Sequence, residues 1–209
     1  MRAHLTACLL LGCAALAAAA PAARGATGCS LNDPDRDIRR LFPTSTGYRT
    51  DFLSIEDRGG AAAAAQLEAA LGDKLDPLYE ALDVPYSYYT VLSGTQAIGY
   101  VHGVNQKGKY GGMQLILATD TNRVIQAFYY QKISSPEAKR FREPAFTDQF
   151  KGLSLADFRA FRQAAAADRA QTRVGGIKDP TEKSGQDFAA TLRGLLKNLL
   201  LLDLFKPKA

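Results

Sequence analysis

The sequence predicts a single α+β domain, in which an antiparallel sheet is flanked by helices, behind an N-terminal export signal. Three observations predict it. Four short runs rich in β-branched and aromatic residues follow one another through the middle of the chain, separated by turn signals. Helical periodicity occupies the segments on both sides of those runs. A length of 209 residues fits one sizeable domain, and no linker or internal repeat divides it.

The first segment indicates export. Residues 5–20 are almost entirely apolar and small, and they are too few to cross a bilayer comfortably. Small residues follow, so we expect cleavage after Ala22 or Gly25 and a periplasmic or otherwise exported location. Cys13 and Cys29 each end a sequence similar to a lipobox, which leaves two forms open: a soluble or loosely held exported protein, and a lipoprotein. We divide the chain into a signal (1–25), a helical N-terminal part of the domain (26–85) and the α+β domain proper (86–205).

Helical patterns dominate the N-terminal part. The predicted elements are a helix over 33–42, an extended segment over 48–55, and helices over 61–71 and 74–82. Asn32 or Asp33 caps the first helix, and Pro43 closes it. The Ala-rich third element has high helix propensity and ends at Gly72.

The middle of the chain predicts the sheet. The strands are expected over 86–92, 97–104, 113–119 and 123–130. The connections between them are short and contain the residues that turns require. Short connections between consecutive strands favour an antiparallel meander.

The C-terminal third returns to helices. A brief helix is expected from Pro144 to about residue 151, and a helix over 154–170 begins with Ser154 and Asp157 in a capping box. A strand is expected over 172–177. Asp179 and Pro180 then predict the start of a last helix. Its apolar face consists of Phe188, Leu192, Leu195, Leu199 and Leu202.

Composition excludes several kinds of site. The chain holds three Cys and two His, and Cys8, Cys13 and His4 lie in the signal. The remaining Cys29 and His102 cannot build an internal disulfide, a Cys-ligated zinc or iron–sulfur centre, or a bis-His haem. The formal net charge of +5 comes from basic residues interspersed with acidic ones, so we expect no nucleic-acid partner.

Three stretches carry a pattern in a fixed order. The first contains Gly99-Tyr100, Tyr110-Gly111-Gly112 and D-T-N-R-V-I at 120–125; the second contains Ser134-Ser135-Pro136 and E-P-A-F-T-D-Q-F-K-G at 143–152; the third is 174–181. This order resembles the FMN-binding domain family, which includes the flavin-bearing subunits of Rnf complexes and of the sodium-pumping quinone reductase. The resemblance covers a little over half of the mature chain. Where the family reads E-T-P and S-G-A-T, this chain has Ser134-Ser135-Pro136 and Lys178-Asp179-Pro180-Thr181.

The resemblance implies an FMN site made of six residues: Thr181, Ser134, Ser135, Gly111, Gly112 and Tyr110. Thr181 would receive the phosphate, as a covalent phosphoester where a flavin transferase acts on the chain. A helix start offers free N–H groups to such a phosphate. The two glycines would let the backbone approach the ring, Tyr110 would stack on it, and the serines would bond its edge. Each assignment has an ordinary alternative. The glycines can form a hairpin turn, Tyr110 can simply pack against its neighbours, and the serines can belong to a polar loop.

The function that the resemblance implies is electron transfer by an exported FMN-binding redox carrier at the outer face of the membrane. Its partners would be a redox protein or a membrane complex, with peripheral membrane association. No acid–base machinery for a particular substrate is visible, so we expect a carrier rather than a self-sufficient enzyme. The alternative is a flavin-free binding or scaffold module of the same fold that serves a partner protein. A hydrolase or isomerase using His102 is a third option, for which the sequence offers no partner triad.

Overall fold

An antiparallel meander of five strands, arranged in chain order, forms the centre of the structure, a computed structural model that describes residues 29–206. The strands are β1 (Gly47–Leu53), β2 (Tyr86–Ser93), β3 (Gln96–Lys107), β4 (Gly112–Thr119) and β5 (Ile125–Ile133). The helices are α1 (Pro34–Leu41), α2 (Gly60–Leu71), α3 (Ala138–Phe141), α4 (Pro144–Thr147), α5 (Leu155–Gln163) and α6 (Gly185–Leu204). The predicted α+β class is confirmed. The predicted signal and its cleavage points lie outside the described residues.

The sheet contains the four predicted strands and one more. The extended segment predicted over 48–55 becomes β1, which pairs with β2 from Gly47 opposite Leu92 to Leu53 opposite Tyr86. Every neighbouring pair is antiparallel. β3 is longer than predicted and reaches Lys107, opposite Gly112, so the β3–β4 turn is confined to residues 108–111.

Both faces of the sheet are covered. One face packs on α2, α5 and α6 and forms the larger core, in which Leu115, Phe128, Phe150, Leu195 and Leu199 are buried. The other face packs on α1 and the segment before it, where Cys29, Ile38 and Phe42 meet strand residues. Because α6 crosses the strands of the larger core, its predicted apolar face is buried at Leu195, Leu199 and Leu202 and half-buried at Phe188 and Leu192. Within residues 29–206, no helix is long and apolar enough to span a bilayer.

Local capping signals were accurate at two helices. The Asp33 carboxylate accepts the Arg36 N–H at the start of α1, and Pro34 occupies the first turn. Ser154 and Asp157 form the predicted capping box of α5. However, α5 ends at Gln163 rather than near residue 170. The residues that follow are almost all exposed, and helix propensity without packing does not hold a helix in water.

The helix predicted over 74–82 is wrong. The Asp76 carboxylate accepts the Leu78 N–H at 3.0 Å, and the Glu80 carboxylate accepts the Asp76 N–H at 2.5 Å. Side-chain acceptors of this kind compete with helical hydrogen bonds, and Pro77 has no N–H to donate. The segment is therefore a loop, and Leu78, which the helix would have turned inward, is 81% exposed.

The strand predicted over 172–177 is also wrong, because these residues form tight turns. The Thr172 hydroxyl donates to the Arg169 carbonyl and accepts the Gly175 N–H at 3.0 Å. A Cβ on Gly175 would lie 1.7 Å from the Arg169 carbonyl oxygen, so the turn closes more tightly than any other residue would allow.

The last helix begins later than predicted, at Gly185 after the N-cap residue Ser184. The carboxylate of Asp179 accepts the Thr181 N–H at 2.9 Å and the Thr181 hydroxyl at 2.7 Å. This local turn uses the capping residue that was expected to start the helix, because an aspartate can bond its own backbone two residues on. Thr181 consequently lies in a loop and not at a helix start.

Candidate functional site

The six residues of the predicted site lie on three segments at one end of the sheet. We call this region the hairpin end and define it as the β3–β4 turn with Gly112 (108–112), the segment after β5 (134–137) and the loop before α6 (178–184). The segments touch one another: Gly111 approaches Ser134, Glu137 bonds the N–H groups of Glu182 and Lys183, and the Lys109 N–H bonds Asp187 at the start of α6. The chain thus brings together three segments that are far apart in sequence.

Gly111 shapes the turn. Its φ of +132° lies in the region that only glycine adopts without strain. A Cβ at this position would also lie 3.1 Å from the Cβ of Ser134. Gly111 therefore fits closely against the segment after β5, which covers the backbone that was expected to face a flavin ring.

Gly112 and Tyr110 differ in their surroundings. The ring of Tyr79, from the loop over 73–82, lies 3.4 Å from the place a Cβ on Gly112 would occupy. Tyr110 is 46% exposed, and the Lys109 ammonium lies 5.2 Å from its ring centroid. An aromatic ring does approach Gly112, but it is a side chain of the protein itself.

Ser135 and Glu137 form a short turn after β5. The Ser135 hydroxyl accepts the Glu137 N–H at 3.3 Å, and this orients Glu137 toward the loop before α6. The Glu137 carboxylate accepts the N–H of Glu182 at 3.1 Å and that of Lys183 at 3.2 Å. Arg140 lies 3.8 Å from the same carboxylate and 2.9 Å from that of Glu182.

These contacts test whether the hairpin end fits FMN. The three consecutive N–H groups of Thr181, Glu182 and Lys183 are already bonded to the carboxylates of Asp179 and Glu137. Tyr79 covers Gly112 and Ser134 covers Gly111. A phosphate dianion placed at these N–H groups would also meet two negative charges at short range. The residues as arranged do not fit the flavin phosphate.

Asp187, in the first turn of α6, also bonds the hairpin end, and sequence reasoning missed it. Ser184 and Asp187 have the spacing of a capping box, yet Asp187 does not cap α6. Its Oδ1 accepts the Lys109 N–H at 2.7 Å, and its Oδ2 is buried without a hydrogen-bond partner among the described residues. Asp187 therefore fixes the β3–β4 turn against α6. The spacing of Ser184 and Asp187 is a signal in the sequence that could have drawn attention to this acid, but it does not indicate Lys109 as the partner.

A second cluster of charge holds the loop over 73–82, and sequence reasoning missed it. We call it the loop clamp; it consists of Glu80, Arg193 and Lys197. The Glu80 carboxylate accepts from Arg193 at 2.7 Å and from Lys197 at 2.5 Å. The side chains of Glu80 and Lys197 are 1% and 2% exposed, and Lys197 also donates to the carbonyl of Asn105.

Burial and charge act against each other in the loop clamp. Burial lowers the pKa of Lys197 to about 8, in spite of the attraction of Glu80. Burial alone would raise the pKa of Glu80, but its bonds to Arg193 and Lys197 hold that pKa below the usual range. An open groove of about 550 Å³ lies beside the clamp, between the loop and α6. Every donor of the Arg193 guanidinium that faces the groove already has an acceptor, because Asp73, Gln106 and the Lys74 carbonyl complete its bonds.

His102 is enclosed by the core. It is 0% exposed, its Nδ1 lies 2.7 Å from Oδ1 of Asn198, and the rings of Tyr86 and Phe205 pack on it. Burial lowers the pKa of His102 to about 4, although the bond to Asn198 opposes the change. A substrate in solution cannot reach this imidazole in the arrangement described. Within residues 29–206, no group of three acidic, Cys or His side chains is placed to hold a metal ion.

The comparisons with known proteins add no relative. No protein-family model matches the chain, and no curated protein matches it in sequence.

Proposed function

We propose that the protein is an exported, flavin-free binding module that serves a partner protein. The observation that carries this proposal is that other groups of the chain already occupy the N–H donors and the backbone surface of the hairpin end. Where a flavin would need a free backbone surface and free N–H groups, the chain supplies the Tyr79 ring and the carboxylates of Glu137 and Asp179. A cofactor that bound here would have to displace these side chains. The hydrogen bonds it formed would replace existing ones and would add little net free energy.

Two exposed side chains, one in the hairpin end and one in the loop over 73–82, supply a contact surface for a partner. Leu78 is 81% exposed and Tyr110 is 46% exposed, and they flank the contact between Tyr79 and Gly112. Aromatic side chains are enriched among the anchors of protein interfaces, and an exposed apolar side chain such as Leu78 adds apolar area to such a surface. The loop clamp fixes the backbone on the Leu78 side, and Asp187 fixes it on the Tyr110 side.

A photocrosslinking experiment tests the partner surface. A photoreactive phenylalanine analogue is placed at position 78 or 110 of the full chain in the periplasm of its host, and at position 52 as a control. Phe52 is about as exposed as Tyr110, at 43%, but it lies on the edge strand β1. We expect one adduct of the same mass from positions 78 and 110 and none from position 52. Equal crosslinking at all three positions, or none at 78 and 110, contradicts the proposal.

The second candidate function is the FMN-binding redox carrier. It is favoured by the position of the six predicted residues, which three distant segments bring to one end of the sheet. Bound flavin would supply one- and two-electron transfer, while the protein would position it and exclude water. On this candidate, Tyr79 and Glu137 must first leave the positions described above.

Spectroscopy and mass measurement separate the two candidates. The full chain is produced in the periplasm of a host that contains a flavin transferase, beside a Thr181→Ala variant. A colourless protein of unmodified mass is expected from both. A yellow wild type that carries a flavin adduct, together with an unmodified Thr181→Ala variant, overturns the flavin-free proposal and establishes the carrier.

A further inference from the structure

We infer that Glu137 is an internal anion that takes the place of a bound phosphate: it orders the loop of residues 178–184 and closes that loop to phosphate-bearing ligands. The inference rests on the flavin-free function proposed above. Glu137 is a positioning residue, because it orders the backbone of residues 178–184.

The side chains of Gln149, Asp179 and Glu137 hold the loop of residues 178–184. Residues 178–184 precede α6 and have no helical or strand hydrogen bonds among themselves. Gln149 bonds the backbone of Lys178 at one end, and the Asp179 carboxylate closes the turn at Thr181. In the second half of the loop, Glu137 accepts two consecutive backbone N–H groups with its two oxygens. The path of the loop into α6 therefore depends on this carboxylate.

The negative charge of Glu137 suits the two backbone N–H groups that it accepts. Consecutive backbone N–H groups that converge on one point form a site suited to an anion, and a carboxylate or a phosphate can occupy it. Arg140 adds a positive charge 3.8 Å from the Glu137 carboxylate. Glu137 is 17% exposed in its side chain, whereas the nearby Glu182 is 69% exposed, so Glu137 is the acid that points inward.

The ionisation of Glu137 agrees with this role. Its pKa is held below the usual range by the Ser184 hydroxyl, by the two N–H groups and by Arg140, although partial burial opposes the change. The Ser184 hydroxyl lies near the carboxylate, but it has no hydrogen-bond partner among the described residues. We therefore attribute the hold on the loop to the two backbone N–H groups.

A short turn after β5 places Glu137 against the loop. The Ser135 hydroxyl accepts the Glu137 N–H, and the Ser135 carbonyl accepts the N–H of Ala138 at 3.2 Å. This turn directs Glu137 away from β5 and toward residues 182 and 183. Ser134-Ser135-Pro136 is thus directly followed by the carboxylate that fills the loop.

Removal of the carboxylate, followed by rescue with an added anion, tests the inference. The wild type, Glu137→Ala, Glu137→Gln and a control, Glu143→Ala, are melted as full chains at fixed ionic strength, in chloride and in inorganic phosphate. Glu143 is an exposed acid near Arg140, and no backbone N–H of the described residues donates to its side-chain carboxylate. We expect the Tm of Glu137→Ala in chloride to lie several degrees below that of the wild type, with Glu137→Gln between them and Glu143→Ala unchanged.

Phosphate provides the decisive comparison. Because it can occupy the vacated N–H groups, it should raise the Tm of Glu137→Ala by more than it raises the Tm of the wild type or of Glu143→Ala. Equal effects of phosphate on all four proteins overturn the inference. A Glu137→Gln variant that melts like the wild type also overturns the inference, because a neutral amide would then hold the loop as well as the carboxylate does. If Glu137→Ala does not fold, the Glu137→Gln variant decides the question. A flavin adduct on the wild type would refute the flavin-free function separately, through its colour and mass.

Discussion

The loop clamp offers the sharpest quantitative prediction, through the substitution Glu80→Gln. The change keeps the size of the side chain but removes the charge that faces Arg193 and Lys197. Lys197 is 2% exposed, so its ammonium would remain buried beside a neutral amide. Removing one partner from a buried ion pair is far more costly than removing both, because the charge left behind has no counterion.

The expected loss follows from the burial of the pair. Breaking a buried ion pair from one side costs about 3–5 kcal/mol. The groove beside the clamp brings water near Arg193, whose side chain is 19% exposed, so we take the lower end, about 3 kcal/mol. For a domain of this size, the Tm should fall by roughly 6–12 °C.

Urea unfolding of the full chain measures this loss, with Asp148→Asn as a control. Asp148 pairs with Lys151 at 2.9 Å, but both side chains are more than half exposed, so its loss should cost less than about 1 kcal/mol. Adding Lys197→Met to Glu80→Gln should cost less than the sum of the single changes, since the unpaired ammonium is then gone. A Glu80→Gln variant within about 1 kcal/mol of the wild type would refute the reasoning.

Three further predictions concern the core and the N-terminus. The pKa of His102 is about 4 in the folded chain and about 6.5 when unfolded, so the unfolded state binds the proton first and stability should fall from pH 6.5 to pH 4. The loss at pH 5 should be about 2 kcal/mol by urea titration, and it should be absent in His102→Phe; parallel pH profiles of the two proteins would contradict this. Leu195→Asp should cost at least about 3 kcal/mol, because Leu195 is 0% exposed, whereas Gln186→Asp on the exposed face should be tolerated; similar melting of both would show that the face is not buried. N-terminal sequencing of the mature protein should begin between residues 14 and 31, and a chain that begins at Met1 would contradict export.

The sequence was informative wherever structure depends on neighbouring residues. The strands β2 to β5 follow from runs of β-branched and aromatic residues separated by short turns, and short turns favour pairing between consecutive strands. The caps at Asp33 and Ser154 follow from side chains that reach N–H groups three residues away. The apolar face of α6 follows from helical periodicity.

Sequence reasoning grouped the candidate residues but did not describe the side chains that surround them. It placed Gly111, Ser134 and Thr181 in one region, and the structure brings their three segments to one end of the sheet. It did not anticipate that Tyr79 and Glu137 would fill this region. A motif describes the residues that would contact a ligand, but it does not describe which other side chains occupy the same contacts.

By itself, the sequence determined the α+β class, the order of the strands and the helices that begin with a strong local cap. Only the tertiary structure decided the conformation of the loop over 73–82, the state of the hairpin end and the burial of His102. The physical reason is the separation of the partners along the chain. Glu80 meets Arg193 and Lys197 across 113 and 117 residues, and Glu137 meets Lys183 across 46. Bonds of this kind override local propensity, because a buried charge or a backbone N–H must be paired wherever the fold places it.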